Sequence, residues 1–134
     1  MSTTDENKKL AGAFFEALGR GDRARLSELC SEDLEWTVPQ GAALHAGTHK
    51  GASQVFDRML SSVDDTFVMG SQRLEFGLFI AEGGVVMAEA TFHAKGNNGR
   101  DYDNVYVFVF EIEGGKIQKL REHVDTRYAA EFFV

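Results

Sequence analysis

The sequence predicts an α+β fold in which three N-terminal helices cover one face of a mostly antiparallel sheet. Two patterns carry this prediction. Before residue 65, apolar residues recur mainly at helical spacing, and after it they alternate in short runs as they do in strands. Gly-rich turns separate these later runs. Since the chain has 134 residues, we expect one domain that spans residues 1–134.

Three segments have the spacing of amphipathic helices. In residues 5–19, Leu10, Phe14 and Leu18 recur every fourth residue, and Gly19 is placed to end the helix. A second, short helix starts at Asp22. The third helix is marked by a run of apolar residues at helical spacing, namely Val55, Phe56, Met59, Leu60 and Val63.

Five segments are predicted as strands, of which the last four form a meander. A short strand ends before Pro39, and the following residues 40–51 are predicted as a loop. The predicted strands are residues 34–38, 66–80, 85–94, 102–112 and 116–125.

Composition excludes several classes of protein. The net charge of −7 is unsuited to a nucleic-acid-binding face, which must be basic. The single cysteine, Cys30, excludes an intrachain disulfide and a cysteine-based zinc cluster, and the four scattered His form no metal motif. We therefore expect no metal and no nucleic-acid partner. Because the sequence has no long apolar run and no disulfide, we expect a cytoplasmic protein without membrane contact.

The turns set the expected register of the strands. A four-residue loop at 96–99 would place Glu89 beside Tyr106 and Thr91 beside Asn104. At the next turn, a two-residue loop (114–115) and a three-residue loop (113–115) give opposite faces to the last strand. We favour the three-residue loop because it groups apolar residues with the aromatic residues of the neighbouring strand.

This register places Glu122 on the buried face between Leu120 and Val124, next to Tyr106. An apolar face with a few convergent polar groups is typical of a small-molecule pocket. The predicted catalytic residues are Glu122 and Glu89. The residues expected to bind the substrate are Trp36, Tyr106, Asn104, Thr91, Phe15, Met59, Phe108 and Leu120.

Each of the two carboxylates can be interpreted as a catalytic residue or as a residue without a catalytic role. Glu122 is either a general acid/base or a structural residue bonded to Tyr106 or Asn104. The Glu89 side chain either approaches that of Glu122 across Tyr106 or reaches the rim of the pocket, where it is solvated.

The opposite face of the sheet is expected to be apolar and uncovered by any other element. Such a patch is normally an interaction surface, so we expect a homodimer through this face. The residues assigned to it are Val86, Ala88, Ala90, Phe92, Val105, Val107 and Val109. The apolar end of the chain, residues 128–134, is expected to fold back onto the body or the partner subunit.

The order of elements and three sequence stretches resemble the SnoaL-like polyketide cyclase group. The stretches are residues 14–22 with 31–33, residues 110–117 with 120–126, and residues 46–51. The resemblance covers nearly the whole chain. It implies the cone-shaped, curved sheet shared with nuclear transport factor two, ketosteroid isomerase and limonene epoxide hydrolase.

The resemblance carries one catalytic position over. The acidic residue on the last strand of the SnoaL-type cyclases, which serves as acid/base there, matches Glu122. Of the Asp, Arg, Asp set of the epoxide hydrolases, only the last Asp has an acidic match, again Glu122, while Glu89 and Thr91 fall on the other two positions. The base of the ketosteroid isomerases falls on Val38, their oxyanion Tyr near Phe14 and their protonated Asp near Asn104.

These observations predict a protein that binds a small, mostly apolar, oxygenated organic molecule. As an enzyme it would catalyse isomerisation, aldol-type cyclisation or water addition by proton transfer, without a cofactor. The alternative is a non-catalytic ligand-binding or scaffold domain whose working surface is the sheet.

Overall fold

The computed structural model of the chain, which describes residues 3–133, has the expected α+β fold. The helices are α1 (Thr4–Arg20), α2 (Arg23–Leu29), α3 (Ala52–Thr66) and α4 (Thr126–Phe132). The strands are β1 (Cys30–Val38), β2 (Gly47–Lys50), β3 (Arg73–Glu82), β4 (Val85–Lys95), β5 (Asp101–Glu113) and β6 (Lys116–Val124). The sheet has the order β2-β1-β6-β5-β4-β3, in which β1 and β6 are parallel and the other neighbours antiparallel.

Local signals place the helix ends close to where the sequence predicts them. The Thr3 side chain accepts a hydrogen bond from the Glu6 backbone, and the Glu6 carboxylate accepts one from the Thr3 backbone, which caps α1. Gly21, at a φ of 65°, ends that helix in the left-handed region, which favours glycine. Asp22 caps α2. None of the helices within residues 3–133 is long and apolar enough to cross a membrane.

Two clusters of buried side chains hold the helices against the sheet. The larger one joins α1, α2 and α3 to the concave face, with Phe14, Phe15, Phe56 and Phe110 almost completely buried. The smaller one gathers α4 onto the strands at Phe67, Ala94, Tyr102, Ala129 and Phe132. The chain end therefore folds back onto the body as expected, while residue 134 lies outside the described residues.

The predicted strand 66–80 and loop 40–51 differ from the structure. Helix α3 continues to Thr66, and β3 begins only at Arg73, because residues 68–72, with a turn at 69–70, connect the helix to the sheet. Within the predicted loop, Gly47–Lys50 forms the edge strand β2 against β1.

The β4–β5 register is one residue away from the expected one. The connection is a three-residue loop at 97–99, flanked by the Gly96 N–H···O=C Arg100 hydrogen bond, with Gly99 at a φ of 83°. Glu89 consequently pairs with Val107, and Thr91 with Val105. A slip of one residue exchanges the two faces of a strand.

This register places the four β4 residues of the predicted outer face on the inward side of the sheet. Val86, Ala88 and Ala90 are each at most 1% exposed and pack in the interior, and Phe92 lies on the same side of the strand. Their assignment to the outer face was wrong. Val105, Val107 and Val109 do lie on the outer face, where they pair with Thr91, Glu89 and Met87.

The β5–β6 turn also differs from the predicted one, yet β6 presents the expected face. The loop has two residues, Gly114 and Gly115, both in the left-handed region, and not the predicted three at 113–115. A bulge at Gln118 then shifts the register by one residue. Leu120 and Glu122 therefore face inward, beside Phe110 and Phe108.

Candidate active site

A cavity of about 190 Å³ lies inside the curve of the sheet, between β-strands, α3 and α4. This exceeds the roughly 150 Å³ that suffices to hold benzene in an apolar protein cavity. Its wall is mainly apolar and contains one carboxylate, Glu122. The main lining residues are Leu18, Trp36, Val38, Met59, Leu60, Val63, Phe67, Leu74, Phe92, Tyr102, Tyr106, Phe108, Glu122, Val124 and Phe133.

The strand pairing of β6 brings Glu122 to the cavity wall. The bulge at Gln118 turns the Glu122 side chain inward. The parallel pairing of β1 with β6 sets Trp36 beside Leu120. From there the Trp36 indole N–H donates a hydrogen bond of 2.8 Å to Glu122 Oε1. One carboxylate oxygen is thereby fixed against β1, and the carboxyl group faces the cavity.

The surroundings of Glu122 favour its protonated form. Burial disfavours the charged carboxylate and raises its pKa from 4.5 to about 7, while the hydrogen bond from Trp36 acts in the opposite direction. Glu122 keeps part of its surface accessible because it lines the cavity. A carboxyl group that exchanges its proton near neutral pH is suited to both general-acid and general-base catalysis.

Two tyrosine hydroxyls form a hydrogen-bond chain at the same cavity. The buried Asn104 side-chain amide donates to the Tyr102 hydroxyl at 3.0 Å and to the Asp125 carbonyl at 3.1 Å. The Tyr102 and Tyr106 hydroxyls are 2.9 Å apart. Either hydroxyl can donate to the other, and in the arrangement in which Tyr102 donates, the Tyr106 proton is free to point into the cavity.

Both tyrosines remain protonated donors. Burial is the largest cause that raises the pKa of Tyr106 well above its ordinary value, and the neighbouring Tyr102 and Glu122 act in the same direction. Burial also raises the pKa of Tyr102, against hydrogen bonds from Tyr106 and Asn104 that lower it. The cavity thus holds one titrating acid and one neutral hydroxyl donor.

The structure brings together only part of the predicted site. Trp36, Met59, Tyr106, Phe108 and Glu122 line the cavity. Asn104 lies one layer behind the wall, where it holds Tyr102.

The other predicted site residues lie elsewhere. Phe15 and Leu120 are buried in the larger core cluster, where Phe15 packs edge-on against Phe108 and Phe110. Glu89 and Thr91 lie on the outer face because of the β4–β5 register, and Glu89 is exposed. The expected convergence of Glu89 with Glu122 across Tyr106 is therefore wrong.

Sequence reasoning missed Tyr102, Phe92, Gln72 and His45 on the cavity wall. Tyr102 lies four residues before Tyr106 on the same face of β5, so the alternation of that strand was a usable signal. Gln72 and His45 come from connections without periodicity, in which the sequence carries no such signal.

Comparison with known proteins identifies the family of this chain. The family model of the SnoaL-like domain matches residues 11–120. No protein with a curated description matches the chain.

Solved structures share the fold over nearly the full length. Bal32a, from a soil-derived mobile gene cassette, is 26% identical, with 98% of each chain covered and a TM-score of 0.84. An NTF2-like protein of unknown function from Burkholderia pseudomallei is 25% identical, also with 98% of each chain covered and a TM-score of 0.84. An LEH-like epoxide hydrolase of M. tuberculosis is 18% identical, covering 96% of this chain and 90% of that one, with a TM-score of 0.74.

Proposed function

The chain belongs to the SnoaL-like domain family, and we propose that it binds a small, mostly apolar, oxygenated molecule and transfers a proton on it through Glu122. The observation that carries this proposal is the single carboxyl group on an apolar cavity wall, with a pKa of about 7. Burying such a group lowers the stability of the fold unless the group is paired. A carboxyl group that titrates near neutral pH is suited to proton transfer, which gives a functional reason for its place in the cavity. Among residues 3–133 the Glu122 carboxylate has one hydrogen-bond partner, the Trp36 indole, so its second oxygen faces the cavity.

The reaction we propose starts at a carbon next to a carbonyl group. The Glu122 carboxylate removes a proton from that carbon, and the Tyr106 hydroxyl donates a hydrogen bond to the carbonyl oxygen, on which negative charge develops. Glu122, now protonated, returns the proton to the same carbon or to another position of the enolate. Isomerisation and aldol-type cyclisation both begin with this step, and it needs no cofactor.

Hydrogen–deuterium exchange of a simple ketone tests this step directly. We choose 2-tetralone, an apolar bicyclic ketone, and follow the loss of its α-proton signals in deuterated buffer by NMR. The protein is expected to accelerate exchange, and Glu122→Gln to reduce that acceleration by roughly 100-fold or more. Glu89→Gln is the matched control, because Glu89 is an exposed carboxylate on the outer face of the sheet. Equal exchange rates in all three proteins would refute the catalytic role of Glu122.

A second candidate function is that of a non-catalytic ligand-binding domain. It is favoured by the hydrogen bond from Trp36, which is also what a structural glutamate would make. In that case 2-tetralone binds to the protein, as calorimetry would show, without faster exchange. The same pair of measurements therefore separates the two functions.

A further inference from the structure

His45 lies where the cavity meets the outside of the molecule. His45 lines the apolar cavity that contains Glu122, and it also lines an open, more polar groove of about 680 Å³ along α3. Leu44 and Ser62 are the other residues shared by both spaces. The half-buried His45 therefore stands at the mouth through which a ligand would reach Glu122.

The backbone of His45 is held in an uncommon conformation. Its φ of 59° lies in the left-handed region, and His45 is the one non-glycine residue within 3–133 with a positive φ. Such conformations persist where the surrounding structure enforces them, and they cluster at ligand sites.

A hydrogen-bond chain enforces this conformation. Arg58 Nη1 lies 2.6 Å from His49 Nδ1, and His49 Nε2 lies 2.6 Å from the His45 carbonyl oxygen. Since a guanidinium only donates and a carbonyl only accepts, His49 must be neutral, with its proton on Nε2. Arg58 thereby fixes the tautomer of His49, and His49 fixes the position of His45.

The His45 imidazole itself is left available to a ligand. None of the side-chain hydrogen bonds found within residues 3–133 uses its ring nitrogens, whereas its carbonyl is bonded by His49. Burial is the largest cause that lowers its pKa, and the Arg58 guanidinium acts in the same direction, so the ring is uncharged at neutral pH. A neutral imidazole offers one donor and one acceptor.

We propose that His45 is a second ligand-binding residue, which recognises an oxygen group on the end of the ligand remote from Glu122. This inference rests on the proposed function and adds to it the class of ligand: a compact apolar ring system with oxygen functions at both ends. One end binds at Glu122 and Tyr106, the apolar middle contacts the cavity wall, and the other end reaches His45 at the mouth. Arg58 and His49 are positioning residues for this contact.

A pair of ligands that differ only in the second oxygen group tests the inference. We choose 2-naphthol and 2,6-dihydroxynaphthalene, and measure both affinities by calorimetry and by the fluorescence of Trp36, which is the only tryptophan and lines the cavity. The parent protein is expected to bind the diol about 3- to 10-fold more tightly, the value of one additional hydrogen bond. In His45→Gly this preference is expected to vanish, so that 2-naphthol and 2,6-dihydroxynaphthalene bind with nearly equal affinity.

Glycine is the informative substitution because it adopts the left-handed conformation without strain, so that the loop is retained when the imidazole is removed. Gln54→Ala is the matched control, since Gln54 is exposed and lines the outer groove but not the apolar cavity. Arg58→Met should reduce the preference for the diol without changing the affinity for 2-naphthol, which a merely structural role would not do.

Three results have distinct meanings. A preference that disappears in His45→Gly and persists in Gln54→Ala supports the inference. An equal preference in the parent protein and in His45→Gly overturns the role of His45 and leaves the proposed function intact, provided that 2-naphthol affinity still depends on Glu122. Failure of both naphthols to bind the parent protein overturns the inference together with the apolar ligand on which it rests.

Discussion

Glu122 holds its proton more tightly in the folded chain than in an unfolded one, because burial raises its pKa to about 7. As pH rises from the ordinary value of 4.5 towards the folded value of about 7, the unfolded chain releases this proton first, so the free energy of unfolding falls. The difference between the two pKa values corresponds to a loss of about 3 kcal/mol above neutral pH.

Glu122→Gln should abolish this loss, because glutamine cannot ionise and its amide oxygen still accepts from Trp36. We expect the variant to be more stable than the parent by up to about 3 kcal/mol at pH 8 and nearly equal to it at pH 4. Urea unfolding at both pH values measures the difference, with Glu89→Gln as control. A variant that is equally destabilised at both pH values would identify Glu122 as a structural residue.

Trp36→Phe tests the opposing contribution to the same pKa. Phenylalanine keeps an apolar ring on the cavity wall but removes the N–H that bonds the Glu122 carboxylate at 2.8 Å. Without this donor the charged form is less stable, so the pKa of Glu122 should rise further. The midpoint of the pH profile of 2-tetralone exchange is expected to move to higher pH. An unchanged midpoint would show that the bond does not tune the acid.

At the level of elements, the alternation within a strand predicted the faces better than the turn did. In β4, Val86, Ala88 and Ala90 are all apolar and lie inside, while Glu89 lies outside. The assumed loop at 96–99 overrode this pattern, because Gly-rich turns admit several lengths that differ by one residue. Glu89 was placed in the cavity for that reason alone.

The inward side of β6 was predicted correctly although its turn was not. Ile117 and Leu120 are both fully buried, and a spacing of three residues is incompatible with unbroken alternation in a strand. That spacing is the sequence signal of the bulge at Gln118. The turn and the bulge each shift the register by one residue in the same direction, and the resulting shift of two residues keeps Glu122 on the inward face, paired with Phe108 instead of Tyr106.

Helix α4 closes one side of the cavity, and Phe132 anchors it. The Phe132 ring is 4% exposed and packs on Tyr102 with ring centroids 4.8 Å apart and on Phe67 at 5.9 Å. Phe132→Ala should lower the free energy of unfolding by about 3 kcal/mol, since it leaves a void in this cluster. Urea unfolding measures the loss, and the exposed Arg127 on the same helix provides Arg127→Ala as control. A loss no larger than that of the control would mean that α4 is not docked.

At the scale of the whole molecule, the outer face of the sheet remains unpaired in the single chain. It exposes apolar side chains of neighbouring strands, with Val85 38%, Met87 46% and Val105 53% exposed. Charges of both signs border them, among them Glu89 and Arg121. A face with both signs can meet its own copy across a twofold axis, so we propose that a second copy of this chain covers it.

A charge in the middle of this face tests the dimer. Val107 pairs with Glu89 on one side and His123 on the other, so Val107→Glu would bury a second carboxylate beside that of Glu89 if two copies meet here. We expect light scattering at micromolar concentration to give a dimer mass for the parent protein and a monomer mass for the variant. The exposed Gln54 on α3 provides Gln54→Glu as control. A monomeric parent protein would refute the proposal.

The architecture was predictable from the whole sequence, whereas the cavity wall was predictable only in part, at Trp36, Met59, Tyr106, Phe108 and Glu122. Helical spacing before residue 65 and alternation after it are long-range patterns that tolerate local errors. A site depends on which face each side chain takes, and a single misplaced residue in a turn reverses that for a whole strand. The fold itself does not select among activities, because it hosts many of them.

The titration of Glu122 itself tests the central claim most directly. Side-chain carboxyl signals of the protein labelled with carbon-13 at glutamate can be followed by NMR from pH 4 to pH 9, and the Glu122 signal is identified by its absence in Glu122→Gln. We predict a midpoint near pH 7, since the group is buried in an apolar cavity. A midpoint near the ordinary value of about 4.3 would show a solvated carboxylate and contradict the account.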